Sequence, residues 1–334
     1  MARPAPAVPR GRALGVVLIL LSACAFGSGP LFAKPVYATG IDWMTLLAWR
    51  FGFAAVLSWI WLLARPADRR ALRGLSRRRV LVLLSLGVLY VVNSGTYYAA
   101  LQTVPASLAA LIVYMYPALV AVLALRWGRR LAGRRPWLAL GIATLGVLLA
   151  LGGIPAAGAP PLEGLVLAVV SPIIYSFWII ASARLAGERP RVTDAVPPEA
   201  IEAAEETDPA PAAALMITAA AVVYFVAATV TGRPTNPFAV PPAAWVGLLG
   251  IGIISTAVAM QSFYAGTKRI GAAQAALVST VEPVWTITLA TLLLGETLGA
   301  IQLLGGALVI AGVILAQTAP APGEAPVAAA PASG

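Results

Sequence analysis

Histidine is absent from all 334 residues, and cysteine occurs once, at Cys24. A disulfide framework, a Cys/His metal cluster and histidine acid–base chemistry are therefore out of reach. Charge is scarce too: only 11% of residues are Asp, Glu, Lys or Arg, less than half the share in a typical soluble domain. The aspartates Asp42, Asp68, Asp194 and Asp208 all fall between apolar runs. No G-x-S-x-G, H-E-x-x-H or Walker-type phosphate loop occurs, which speaks against an enzyme and against direct ATP drive. No catalytic residue, metal or cofactor is expected. What is abundant is apolar side chain, 60% of the sequence at a mean hydropathy of +0.87. A water-soluble core has no room for that much. The formal charge of +10 would point to nucleic acid in a soluble protein. Here nearly all the basic residues lie in short stretches between long apolar runs, where they read as membrane topology instead.

Ten apolar runs, each able to cross about 30 Å of hydrocarbon at 1.5 Å per residue, lie near 13–34, 43–64, 80–101, 105–126, 136–152, 162–184, 212–232, 243–265, 271–294 and 298–317. The fifth is the shortest. Residues 1–12 and the Ala/Pro-rich tail 318–334 read as disordered. The stretch 185–211 carries Glu188, Asp194, Glu199, Glu202, Glu205, Glu206 and Asp208 among prolines and reads as a flexible acidic loop. Short loops rich in Arg stay in the cytoplasm. With the N-terminus inside, that face receives Arg10, Arg12, Arg65, Arg69, Arg70, Arg73, Arg77, Arg78, Arg79, Arg126, Arg129, Arg130, Arg134, Arg135 and Arg184, among others. Only Lys34 and Arg233 fall outside, and Arg50 lies within the second run. A miscounted helix would scatter these charges. Both termini are thus expected in the cytoplasm of a cell bounded by this inner (plasma) membrane. A lipoprotein signal ending at Cys24 is the rival reading of the first run, but cleavage there would spoil an internal repeat.

That repeat lays 98–150 over 264–316 at a displacement of 166 residues, matching Tyr98/Tyr264, Pro117/Pro283, Gly133/Gly299 and Gly146/Gly312. The first and sixth runs align at a displacement of 149 through Gly15/Gly164, Ser22/Ser171 and Phe26/Tyr175. Each repeat, 13–152 and 162–317, holds five helices, an odd number. The second therefore enters the membrane from the opposite side, and the expected fold is an all-α integral membrane protein of ten transmembrane helices in two inverted five-helix repeats.

These residues resemble the EamA-type transporters of the drug/metabolite transporter superfamily over nearly the whole chain. The resemblance lies in Phe26-Gly27-Ser28 with Lys34 closing the first helix, and in Arg50-Phe51. It continues through Tyr97-Tyr98-Ala99-Ala100-Leu101, Ala106, Ala109 and Ala110 before Pro117, and Glu282-Pro283 followed by Gly295-Glu296. The Gly-Glu that often ends the fourth helix is Arg129-Arg130 here. The resemblance implies a central cavity between repeats, cytoplasmic termini and export of amino acids, related metabolites or toxic compounds.

Deep polar groups advertise a site, since a charge near a helix centre costs about 2.5–3.5 kcal/mol on insertion scales. Arg50 is read as a structural or coupling cation that snorkels toward the outer rim. Glu282, near the middle of its run, has no route to the interface and must be protonated, paired or facing water. Its repeat mate is Tyr116, likewise just before a proline, and Pro117 and Pro283 are expected to kink their helices. Asn93, Tyr97, Tyr98, Tyr114, Tyr175, Trp178, Gln261 and Tyr264 are further candidate lining residues, although aromatics also form interfacial belts and packing contacts. Gly146…Ala150 and Gly312…Ala316 read as close helix packing, with the chain a monomer or homodimer. The leading function is a secondary transporter of small metabolites by alternating access. A membrane receptor or scaffold, or an intramembrane enzyme, is the alternative.

Overall fold

The computed structural model describes residues 10–127, 135–153, 159–185, 209–270, 275 and 278–317. Every regular element among them is helical, as expected where no water is at hand to satisfy peptide groups. The first half contains α1 (Arg10–Gly27), α2 (Gly29–Ala38), α3 (Trp43–Ala64), α4 (Pro66–Gly74), α5 (Arg77–Thr103), α6 (Ala106–Val113), α7 (Tyr116–Trp127) and α8 (Arg135–Gly152). The second contains α9 (Leu162–Leu185), α10 (Pro209–Val230), α11 (Ala244–Gly252), a π-helical turn (Ile253–Val258), α12 (Ala259–Ile270), α13 (Val281–Leu294) and α14 (Ala300–Gln317). Most of the acidic loop and all of the C-terminal tail lie outside the described residues.

Six stretches are long and apolar enough to cross a membrane: Ala13–Ala38, Trp43–Ala64, Arg77–Thr103, Leu162–Ala181, Ala210–Val230 and Ala244–Phe263. Four shorter apolar helices, Ala106–Val120, Trp137–Leu151, Val281–Leu294 and Ala300–Leu315, overlie the other expected spans. Large apolar side chains such as Val17, Val56, Leu148 and Leu293 point outward, a liability in water that lipid removes.

Prolines decide where the rods break. Pro117 and Pro283 were expected to kink continuous helices, yet each lies in the first turn of a new one, as does Pro30 within the first expected span. The reason is steric: a proline ring clashes with the carbonyl four residues back but fits a helix's first turn, where no N–H partner is needed. Pro117 and Pro283 are therefore breakpoints rather than kinks, and Glu282 is the second residue of α13 rather than a mid-helix residue. Lys34 does not close the first span, because α2 runs on through Pro35 to Ala38.

Asp42 caps α3, its Oδ1 accepting from the N–H groups of Met44 and Thr45 at 2.7 and 3.0 Å. The Asp42 carboxylate also pairs at 3.4 Å with Arg233, beyond α10. Neighbours in the bundle come from opposite halves of the chain: α1 packs on α12, α5 on α9, α3 on α10, and α8 on α14. The last pair packs closely because of its glycines: a methyl group on Gly146 would meet the Gly305 carbonyl at 2.5 Å and vice versa. The small residues read from sequence thus serve contact within the chain.

Candidate functional site

Between the two halves lies a cavity of about 330 Å³, near the lower end of ordinary ligand pockets. Its walls come from α1, α2, α3, α5, α6, α7, α9, α10, α12, α13 and the π-helical turn. Broken helices build part of it. Pro283 cannot donate to the Ser279 carbonyl four residues earlier, and the Tyr114 hydroxyl, from the other half of the chain, donates to that carbonyl. The same carbonyl also accepts from the Glu282 N–H at 3.0 Å, so the break is bridged both within its own segment and from the other half.

Arg50 does not snorkel. It is buried and lines the cavity; its Nε donates to the Thr256 hydroxyl at 2.9 Å. Its guanidinium sits 4.6 Å from the Tyr98 ring centroid and 5.2 Å from that of Phe51, a cation over aromatic faces. Thr256 in turn donates to the Ile251 carbonyl five residues back, at 2.9 Å. That bond belongs to a π-helical turn, a feature common where helices carry function.

Glu282 shares the cavity. Among the described residues its carboxylate has neither an ion-pair partner within 4 Å nor a side-chain hydrogen bond, so it faces the cavity without a protein counter-charge. Tyr116 lies on the same wall, its ring 4.7 Å from Tyr175 and 5.9 Å from Tyr114. Trp178 stacks on Tyr175 at 5.9 Å and 14°, and its Nε1 donates to the Leu86 carbonyl at 2.9 Å. Asn93 accepts from the Ser171 hydroxyl at 3.3 Å. Tyr97 packs edge-on to Tyr98 at 5.2 Å.

The cavity therefore gathers Arg50, Asn93, Tyr97, Tyr98, Tyr114, Tyr116, Tyr175, Trp178 and Glu282. Gln261 is not among its lining residues; Met260 and Phe263 take that place on α12. The side chain of Tyr264 lies outside the described residues. Sequence reasoning missed Tyr90, Ser94, Thr256, Ser279 and Thr286, all of which line the cavity. Tyr90 bridges the aromatic wall, 4.9 Å from Trp178, and Thr286 donates to the Gly27 carbonyl at 2.8 Å. Tyr90 and Ser94 lie one turn from Asn93 and Tyr97 on α5, a helical spacing that would have found them. Thr256 and Thr286 carried no such signal.

Comparison with known proteins agrees with this architecture. The chain matches the family described as the EamA-like transporter family over residues 13–152 and 198–318. An "Uncharacterized transporter" of Archaeoglobus fulgidus is 27% identical over 308 residues, covering 90% of this chain and 96% of the relative. The "Uncharacterized transporter YcbK" of Bacillus subtilis is 26% identical over 300 residues, covering 89% and 90%. A solved structure described as "Crystal structure of protein" superposes with a TM-score of 0.62 at 17% identity, covering 91% of this chain and 96% of that one, which shows a shared fold. With apolar helices wrapped around a polar cavity and the family match spanning both halves, the chain is a multi-pass membrane transporter and belongs to the EamA-like transporter family.

Proposed function

We propose that the protein is a secondary transporter that exports small zwitterionic metabolites, such as amino acids and related compounds, by alternating access around the central cavity. In this reading ten transmembrane helices form two inverted five-helix repeats, 13–152 and 162–317, in the inner (plasma) membrane with both termini cytoplasmic. Packing symmetry supports the repeats. Counted as ten spans, the contacts between the first and eighth, and between the first and ninth, become those between the sixth and third, and the sixth and fourth, when the halves are exchanged. Individual hydrogen bonds follow the same rule: Ser22 Oγ donates to the Ala259 carbonyl at 2.8 Å, and Ser171 Oγ to Asn93. Ser22/Ser171 and Asn93/Ala259 are equivalent positions at the displacements of 149 and 166 residues.

The observation that carries the substrate class is one cation, Arg50, and one acid, Glu282, lining a single aromatic-walled cavity without pairing to each other. A zwitterion offers the complementary charges, and the tyrosines accommodate its apolar part. A cavity of about 330 Å³ suits a molecule of that size. The test is uptake of isotope-labelled amino acids and small amines or acids into proteoliposomes of the purified protein. Flux of at least one zwitterion above empty liposomes is expected, with loss of at least about tenfold in Glu282→Gln, since Gln keeps the shape but cannot carry the charge. Wild-type flux in that variant would remove Glu282 from recognition. Flux of none of the compounds would overturn the substrate class.

A further inference from the structure

Glu296 sits in the turn between α13 and α14, away from the cavity, and joins the two halves of the molecule at one end. Gly295 just before it adopts a positive φ of 67°, the left-handed conformation glycine tolerates best. This stops α13 and aims the next side chain across the bundle. The Glu296 carboxylate accepts from the Ala106 N–H at 2.8 Å, the Ser107 N–H at 2.8 Å and the Ser107 hydroxyl at 2.7 Å. Those donors open α6, whose first N–H groups have no partner within their own helix. An anion there meets both free donors and the positive end of the helix dipole. Lys34 braces the same junction, its Nζ donating to the Val104 carbonyl at 2.6 Å, two residues before Ala106.

This arrangement has a distinctive placement. α13 carries Glu282 and α6 leads into Tyr114, so the contact ties together the two half-helices that meet beside the cavity. It is also one-sided. The residue equivalent to Glu296 in the first repeat is Arg130 at the displacement of 166 residues, and a cation has no lone pair to offer to helix N–H groups. The first repeat thus carries no carboxylate at the equivalent position.

We propose that Glu296 is the latch of one mouth of the cavity, the one on the Lys34 and Asp42 face, and that its three hydrogen bonds to α6 must break before that mouth opens. The proposal rests on the alternating-access reading. Opening this face separates the halves at their shared end, where Glu296 makes three hydrogen bonds that cross between them, alongside the Asp42–Arg233 ion pair. The latch sets the balance between the two access states without touching substrate, so Glu296 is a positioning residue.

Sidedness of access tests this without needing a substrate. Val113 lines the cavity; Val113→Cys in a Cys24→Ala background is labelled with a membrane-impermeant maleimide in right-side-out and inside-out vesicles. With Glu296 present, label is expected from both faces, slower from the Glu296 face. Glu296→Ala is expected to shift the ratio of rates at least about tenfold toward that face, and Ser107→Ala, which removes one donor of three, about threefold. Glu296→Gln keeps one acceptor oxygen and is expected to fall between. If Glu296→Ala does not fold, the graded shift in Ser107→Ala and Glu296→Gln carries the test. Label from both faces with ratios unchanged within about twofold in the variants would overturn the latch and leave alternating access standing. Label from one face only, in every variant, would overturn both.

Discussion

Arg50 is a cation inside an apolar bundle, where an unmatched charge would cost several kcal/mol. The Thr256 hydroxyl and two aromatic faces supply what water would otherwise supply. Thr256→Val removes the acceptor and also the hydroxyl that anchors the π-helical turn at Ile251. It is expected to lower stability by about 1–3 kcal/mol, read as a lower melting temperature in detergent; wild-type melting would show that the turn holds without it. Arg50 both holds the turn and faces the cavity, so Arg50→Ala is expected to lower folded protein and also flux per molecule of what does fold, measured as monodisperse yield and as transport. Wild-type flux per molecule would remove Arg50 from recognition and leave it a structural cation. The charge on Arg50 and its depth were plain in the sequence, whereas its direction was not. An arginine about two turns from the interface can point outward or inward at similar cost, and only the position of Thr256, 206 residues away, decides.

Among the elements, α8 and α14 meet backbone to backbone. Without side chains at Gly146 and Gly305 each helix brings a backbone carbonyl into the space a Cβ of the other would need, which improves packing where lipid gives helices no hydrophobic reason to associate. Gly305→Leu is expected to cost at least about 1–3 kcal/mol by overpacking. Leu304→Ala next to it, on an outward-facing side chain, should change stability by less than about 0.5 kcal/mol. Thermal unfolding of both variants compares them directly, and equal losses would place the contact elsewhere. The glycines and prolines that set these elements were readable in advance because their effects are local: a missing Cβ, a missing N–H. The π-helical turn at Ile253–Val258 was not, since Ile-Ile-Ser-Thr-Ala-Val suits α and π geometry alike; within it the Thr256 hydroxyl donates five residues back to the Ile251 carbonyl.

For the whole molecule, the proposed ten-span topology makes a sharp statement about sides. Single cysteines at Ala67, in the Arg-rich segment, and at Ala239, beyond α10, each in a Cys24→Ala background, are expected to label from opposite faces of intact cells, Ala67 from the cytoplasm. Cysteines placed in 127–135 and 185–211 are expected to share the face of Ala67. Label of any of these three loops from outside would break the ten-span count. The exposed arginines at 65, 69, 70, 73, 77 and 78 gather at one end of α3 and α5, while Lys34, Asp42, Arg233 and Glu296 gather at the other, in keeping with that division.

Membrane residence, disturbance of the helices at Pro117 and Pro283, the internal repeat and most of the polar residues facing the cavity followed from the amino-acid sequence alone, although the disturbances proved to be breaks rather than kinks. Each rests on composition, a backbone rule, or a residue type too costly to leave in lipid without a purpose. Tertiary structure decided which polar groups find each other. Arg50 with Thr256, Tyr114 with the Ser279 carbonyl, Asn93 with Ser171, and Glu296 with the start of α6 are all separated by at least 78 residues. In an apolar chain nearly every helix face is compatible with burial, so hydrophobic pattern does not fix rotation or partner. Hydrogen bonds between the halves do, because an unsatisfied donor or acceptor away from water is the larger penalty.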